Sequence, residues 1–346
     1  FHVTGVQTCA LPIYIQSLNG ANSKNRTLDE LQNYVQTQRT DTTISQYWKN
    51  MNKSKASMLR ALLDYLLSKN DDIETNYAYF GRTKPKVLFY MLTSLLEKKY
   101  RANFMKRNLR TKFDFSSPYV YFPMSVNMER NLLIDSPLFT NQIELIRTIA
   151  KSLPIGYNLF VKENPAQVGR EWRPISQYKE IMEIPNVWLF HPSLPGHVFI
   201  KHSSLVISIA GASPFEAAFY KKPSIIFGDV IYSLLPFVLK IQQLEKLPEL
   251  IRIALNMNID ISYLDKFVEL LENNTIDFNR PAFEMKYLHK FYYDGSLINS
   301  EIDHIVMKKF LRENNAELEK LAHAHIDKIK QHKRSSFVQQ VEEKKK

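Results

Sequence analysis

The sequence predicts an α/β fold: a doubly wound parallel sheet of Rossmann-like type, flanked by helical segments. Three observations predict it. Five short runs, Tyr119–Phe122, Asn158–Lys162, Val187–Phe190, Leu205–Ile209 and Ser224–Phe227, have the length and the apolar, aromatic and β-branched composition of strands. Helix-like stretches such as Asn141–Ser152 separate them. The runs are apolar almost throughout rather than alternating, as strands covered on both faces must be.

The remaining elements follow along the chain. Leu28–Gln38, Ile44–Met51, Lys55–Ser68 and Lys86–Asn108 have helical spacing or helix-favouring composition, so residues 14–115 are expected to be a helical linker or the remnant of an N-terminal domain. Residues 116–257 hold the strand runs and are expected to form the sheet domain. Ile259–Glu272 and Asp303–His332 read as helices of a C-terminal segment, 258–334, and 335–346 as a disordered tail.

The first thirteen residues fit none of this. FHVTGVQTCALPI has no initiator Met, no basic start for a signal peptide and too short an apolar run to span a bilayer. Val3–Ile13 resembles the one-frame translation of a sequencing-library adapter, so residues 1–13 are expected to be an artefact and the domain before Tyr14 to be truncated. Setting them aside removes Cys9, the chain's single cysteine, and with it disulfides, thiolate metal sites and a Cys nucleophile; a reducing, cytoplasmic setting is expected.

The net charge of +11 is unevenly spread. Between Thr83 and Lys112 nine basic residues face one acid, and Lys308–Lys346 carries eleven against six. The tail reads as a solvated helix face. In 83–112, Val87, Met91 and Leu95 with Leu88, Leu92 and Leu96 form an i, i+4 stripe expected to pack on a domain, leaving the bases to a membrane surface. Nucleic acid is not an expected partner, since the bases form no recognisable binding motif. The histidines include no pair with metal-ligand spacing: His197 and His202 are five apart, and His323 and His325 two apart, so no metal is expected.

In an open parallel sheet, ligands bind beyond the carboxyl ends of the strands. The unusual residues of this chain collect there: Pro123 to Glu129 with Ser125, Glu163-Asn164-Pro165, His191-Pro192-Ser193, Gly211 to Glu216, and Gly228-Asp229. In IAGASPFEAAFYKKPSIIFGD, Gly211 and Ala212 suit a tight turn with exposed amides, Ser213 suits an N-cap and Pro214 the first helical position, which together suit a phosphate. Glu216 is read either as a capping residue or as an acceptor for a ribose diol.

These residues carry a resemblance. The glycine/serine turn, the helix-borne Glu, the Lys-Pro turn and the following apolar strand resemble the nucleotide-binding half of GT-B glycosyltransferases and of UDP-GlcNAc 2-epimerases. The wider string YVYFPMSVNMERNLLIDSPLFTNQIELIRTIAKSLPIGYNLFVKENP, with WRPISQYKEI and FGDVIYSLLP, is similar to the capsular polysaccharide biosynthesis glycosyltransferases. The resemblance covers about Ser116 to Leu250. It implies the C-terminal half of a GT-B fold, a nucleotide-sugar donor, a glycan acceptor and no further cofactor, while the basic segment Thr83 to Lys112 leads to an expectation of peripheral attachment at the inner face of the plasma membrane. Gly211, Ala212 and Ser213 would hold the donor phosphate with Lys162 nearby, and Glu216 the ribose. Ser125 stands where relatives usually have His in Pro-Leu-His-x-x-Pro-Glu, and Asn164 where they have it in Lys-Glu-His-Pro. No catalytic residue is assigned; Glu129 and His191 are candidates, and Asp229 is a further rim residue. The alternatives are a sugar-nucleotide epimerase and a non-catalytic scaffold.

Overall fold

A computed structural model describes residues 23–37, 55–67, 84–127, 129–169, 173–276, 278–295 and 302–343. The expected helix Ile44–Met51 and the adapter-like residues 1–13 lie outside them. The helices are α1 (Leu28–Thr37), α2 (Lys55–Leu67), α3 (Lys84–Asn108), α4 (Gln142–Ser152), α5 (Ile175–Met182), α6 (Gly196–His202), α7 (Ser213–Ala218), α8 (Leu247–Leu255), α9 (Ile261–Asn274), α10 (Arg280–Phe291), α11 (His304–Glu313) and α12 (Asn315–Glu343), with short helical turns at Arg130–Leu133 and Pro165–Gly169. The strands are β1 (Tyr119–Pro123), β2 (Asn158–Lys162), β3 (Val187–Phe190), β4 (Leu205–Ser208), β5 (Ser224–Ile226) and β6 (Val238–Lys240).

All six strands are parallel, in the order β3-β2-β1-β4-β5-β6. The chain starts in the middle, winds outward to β3, then returns across β1 to β4, which is the doubly wound pattern with its switch point between β1 and β4. The two-residue period of a strand explains why the sheet needs apolar residues at every position. Tyr119 and Tyr121 enter one core with Phe160, Phe190 and Phe199, while Val120 and Phe122 enter the other with Leu159, Val161, Leu205 and Ile207. Tyr119, Tyr121, Phe190 and Phe227, all at or beside strand positions, are buried.

The compact unit holding this sheet takes in the described residues of 23–37 and 88–273, reaching beyond 116–257 on both sides. α1 belongs to it: Leu31 and Val35 are buried, and Tyr34 stacks on Phe219. A capping box starts that helix, with the Thr27 amide donating to Glu30 at 2.7 Å and the Glu30 amide donating to Thr27 Oγ1 at 3.3 Å. α9 belongs as well, burying Leu264, Phe267, Val268 and Leu271. Its carboxylates tie residues 23–26 down: Arg26 reaches Asp265 at 2.8 Å and Glu272 at 2.6 Å, and Lys24 reaches Glu269 at 2.6 Å. Burial would raise the Asp265 carboxyl, but hydrogen bonds from Ser23 and Arg26 and the Arg26 charge outweigh it and hold it below its ordinary value.

The second unit, residues 39–87 and 274–346, is helical where described. Phe283, Tyr287, Phe291 and Phe310 meet edge to face or tilted around α10 and α11. The Tyr293 hydroxyl donates to Asp64 of α2.

Four expectations need correction. A sixth strand, β6, follows the five expected ones. The helix expected over Asp303–His332 breaks at Asn314, whose side chain donates to the Phe310 carbonyl at 2.9 Å and accepts from Lys286 at 3.2 Å. α12 runs on to Glu343, past the start of the tail expected at 335. In α3, Val87 is buried but Leu92 and Leu96 are exposed, because residues one apart on a helix lie about 100° apart and cannot all share a face.

Candidate functional site

β1, β2 and β4 run side by side, so the loops leaving their carboxyl ends meet on one rim. The best-built part lies at β1 and β2. Lys162, the last residue of β2, is buried, and so is Glu163 beside it. Arg173, buried as well, donates to Glu163 Oε2 at 2.7 Å from Nε, to Asn127 Oδ1 at 2.5 Å and to the Ser125 carbonyl at 2.5 Å. The same carboxylate accepts from the Tyr178 hydroxyl at 2.9 Å and the Asn164 amide at 2.8 Å. Gln142, first residue of α4, closes the arrangement. It accepts from the Ser125 amide at 2.8 Å and donates to the Ser125 carbonyl at 2.9 Å and Asn127 Oδ1 at 3.1 Å. Gln167 accepts from the Asn127 amide at 3.0 Å.

The Ser125–Asn127 loop is thus fixed to the end of β2 by a buried ion pair and two amides. Each polar group removed from water there has a partner, which the low dielectric of a buried site demands. Burial and the Glu163 charge raise the Tyr178 hydroxyl well above its ordinary value, so Tyr178 is a donor throughout the physiological range. Asn164 acts locally, its side chain accepting from the Ala166 amide at 2.9 Å and so capping the turn Pro165–Gly169.

At β3, the backbone amide of His191 donates to Arg110, and its ring Nδ1 lies 2.7 Å from Ser193 Oγ. Burial, and then the Lys162 charge, lower the His191 pKa below its ordinary value, so its imidazole is neutral at neutral pH. Lys162 and His191 therefore share one electrostatic environment, across the pair β2 and β3. Glu129 is half-buried at the end of the β1 loop, where its carbonyl accepts from Leu132 and Leu133.

The β4 loop differs from the expected phosphate turn in two respects. Ala212 is the N-cap of α7 and Ser213 lies inside the first turn, with no side-chain cap. The Gly211 amide, expected to be open to a ligand, donates to Ser208 Oγ at 3.2 Å, and the Gly211 carbonyl accepts from the Tyr232 hydroxyl. Both follow from β4 stopping at Ser208, whose hydroxyl turns back on the loop. Ala212 is exposed, while Ser213 and Glu216 are half-buried on α7. Asp229 at the end of β5 pairs with Lys240 of β6. A cavity of about 470 Å³ lies at the opposite edge, lined by Arg147, Lys151, Glu180 and Asn186 near the amino ends of β2 and β3, away from the rim.

The structure places Ser125, Lys162, Asn164, His191, Gly211 to Glu216 and Asp229 on successive strand ends. It adds Arg173, Tyr178, Gln142 and Gln167, to which the sequence alone gave no role. Residues 74–237 match the family model described as capsule polysaccharide biosynthesis protein. The match covers a little under half of the chain. The family segment contains β1 to β5 and every rim residue named above. Solved structures similar to the chain include the beta Kdo 2,7 transferase of Thermosulfurimonas dismutans KpsC, at 13% identity and TM-score 0.33, with 62% of this chain and 57% of that one covered. The beta Kdo 2,4 transferase of the same KpsC matches at 10% identity and TM-score 0.31, with 54% and 56% covered. The spinosyn rhamnosyltransferase SpnG complexed with thymidine diphosphate matches at 16% identity and TM-score 0.29, with 53% and 46% covered. The chain spans about half the length of these structures. No curated protein matches it.

Proposed function

We propose that the sheet-bearing unit binds the nucleotide-sugar donor of a glycosyltransferase that builds capsule polysaccharide. One observation carries the reading: the capsule biosynthesis family match falls on β1 to β5 and takes in the whole rim. In that reaction the acceptor hydroxyl oxygen bonds the anomeric carbon while the bond from that carbon to the donor phosphate breaks. The electron pair leaves on the phosphate and the hydroxyl proton passes to a base. The chemistry needs fixed positive charge where the phosphate develops charge. Lys162 supplies it at the end of β2, held in place by the Arg173–Glu163 clamp beside it. The amides of Ala212 and Ser213 and the Ser213 hydroxyl add donors, and Glu216 accepts from the ribose. His191, neutral at neutral pH, and Glu129 are the candidate bases on this chain.

Calorimetry of the full chain with CMP-, UDP- and GDP-sugars tests the reading. Saturable binding of one class is expected. Lys162→Met and Glu216→Gln should each weaken it about tenfold or more, the value of a charged hydrogen bond, with little change in melting temperature. No saturable binding of any of these donors overturns it.

A further inference from the structure

α3 presents an outward apolar stripe that the sheet does not use. Phe89, Leu92, Leu96 and Tyr100 recur at i, i+3, i+7 and i+11, and are 70%, 64%, 71% and 69% exposed. That spacing puts them on one side of the helix over a length of roughly 16 Å. The opposite side is anchored, since Met105 and then Leu109 just past the helix end are buried in the core of the same unit. Exposed Lys86, Lys99 and Lys106 flank the stripe and exposed Arg107 extends it. The face is therefore cationic as well as apolar.

We infer that this face of α3 docks on the surface of an anionic lipid bilayer, the helix lying in the plane of the headgroups. A single surface seldom combines large exposed apolar side chains with this much positive charge, and a bilayer satisfies both: acyl chains take Phe89, Leu92 and Leu96, and headgroup phosphates take the lysines. Tyr100 has the apolar body and polar tip that suit the interface between them. A second copy of the chain would bring the same positive charge against itself. Nucleic acid would match the charge but leave the leucines in water. Among the described residues no helix is long and apolar enough to cross a membrane, and the stripe has the geometry of a helix lying on one.

The test is sedimentation of the full chain with large vesicles, either of phosphatidylcholine alone or with about a third phosphatidylglycerol. Binding to the anionic vesicles should be at least about tenfold stronger, and should weaken as salt rises. Leu92→Ser with Leu96→Ser removes the apolar contact from exposed positions and should lower binding about tenfold or more, with the melting temperature unchanged. Lys99→Glu with Arg107→Glu should abolish the preference for anionic vesicles. The inference is overturned if the chain stays in the supernatant with both vesicle types, which would assign the face to an acidic protein instead. It is equally overturned if the leucine variant binds as the parent does. Donor binding by the rim does not enter either readout.

Discussion

Replacing Arg173 by Met tests the idea that a buried charge pair, rather than a chain of loop contacts, holds the rim together. Glu163 is 0% exposed and Arg173 only 2%, so the substitution strands a carboxylate with no route to water. It leaves the Tyr178 hydroxyl and the Asn164 amide on Glu163, and removes the donors to Asn127 and Ser125. Gln142 still bonds both of those acceptors, so the loop is not wholly released and the stranded charge dominates the cost. Breaking such a pair from one side costs about 3–5 kcal/mol. For a body of this size, each kcal/mol moves the melting temperature by about 2–4 °C, so the loss should be roughly 10 °C. Thermal unfolding followed by circular dichroism reads it directly. Glu163→Leu combined with Arg173→Met should recover much of the loss, because an apolar pair leaves no stranded charge. A drop of less than about 2 °C for Arg173→Met would refute the argument, since the pair would then behave as a solvated surface bridge. A double variant as unstable as the single one would refute it as well.

Three further outcomes are expected. Asp265 titrates below its ordinary value of 3.8, so its contribution to stability is present above that value and is lost as pH falls through its lower folded-state pKa; urea midpoints should drop below pH about 4, and Asp265→Asn should flatten that drop while costing stability at neutral pH. The His191 imidazole should titrate below 6.5 by NMR, and Lys162→Met should raise the midpoint only part of the way, since burial is the larger cause; a midpoint above 6.5 would count against the site as described. Gly228→Ala would drive a Cβ into Ser136 Oγ and should cost about 1–3 kcal/mol in denaturant unfolding, most of it regained by adding Ser136→Ala, which also removes a buried hydroxyl that has no partner among the described residues.

Much of the sheet was legible because burial on both faces leaves an unmistakable mark. β2 and β3 occupy the predicted spans and β1 runs one residue further, since each is a short run in which nearly every side chain is core. β6 escaped because it is an edge strand of three residues of which only Val238 is buried, so it carries almost no apolar signal. The break at Asn314 escaped for another reason: the surrounding sequence favours helix, and the contact with Lys286 that goes with the break is 28 residues away. The rim was legible as a set of strand ends, because the topology of a parallel sheet gathers them whatever the side chains are. Its internal wiring was not. Arg173 meets Ser125 and Asn127 across 48 and 46 residues, and no spacing rule connects them.

That wiring changes what the two departures from the family pattern mean. Asn164 is not a lost imidazole with nothing in its place, since its side chain caps the turn at Ala166. Substituting His there removes a cap worth about 0.5–2 kcal/mol before any chemistry is gained. Ser125 is used differently: the contacts that fix the loop run through its backbone amide and carbonyl, to Gln142 and Arg173. Ser125→His should therefore leave the melting temperature nearly unchanged while Asn164→His lowers it by several degrees, because about 1 kcal/mol moves a body of this size by about 2–4 °C. If the two substitutions cost the same, the Asn164 cap is not what holds the β2 loop. If they differ in this way, a gain of donor binding in the Ser125 variant alone is the cleaner measure of what an imidazole contributes at this rim, since the loop that carries it is otherwise intact.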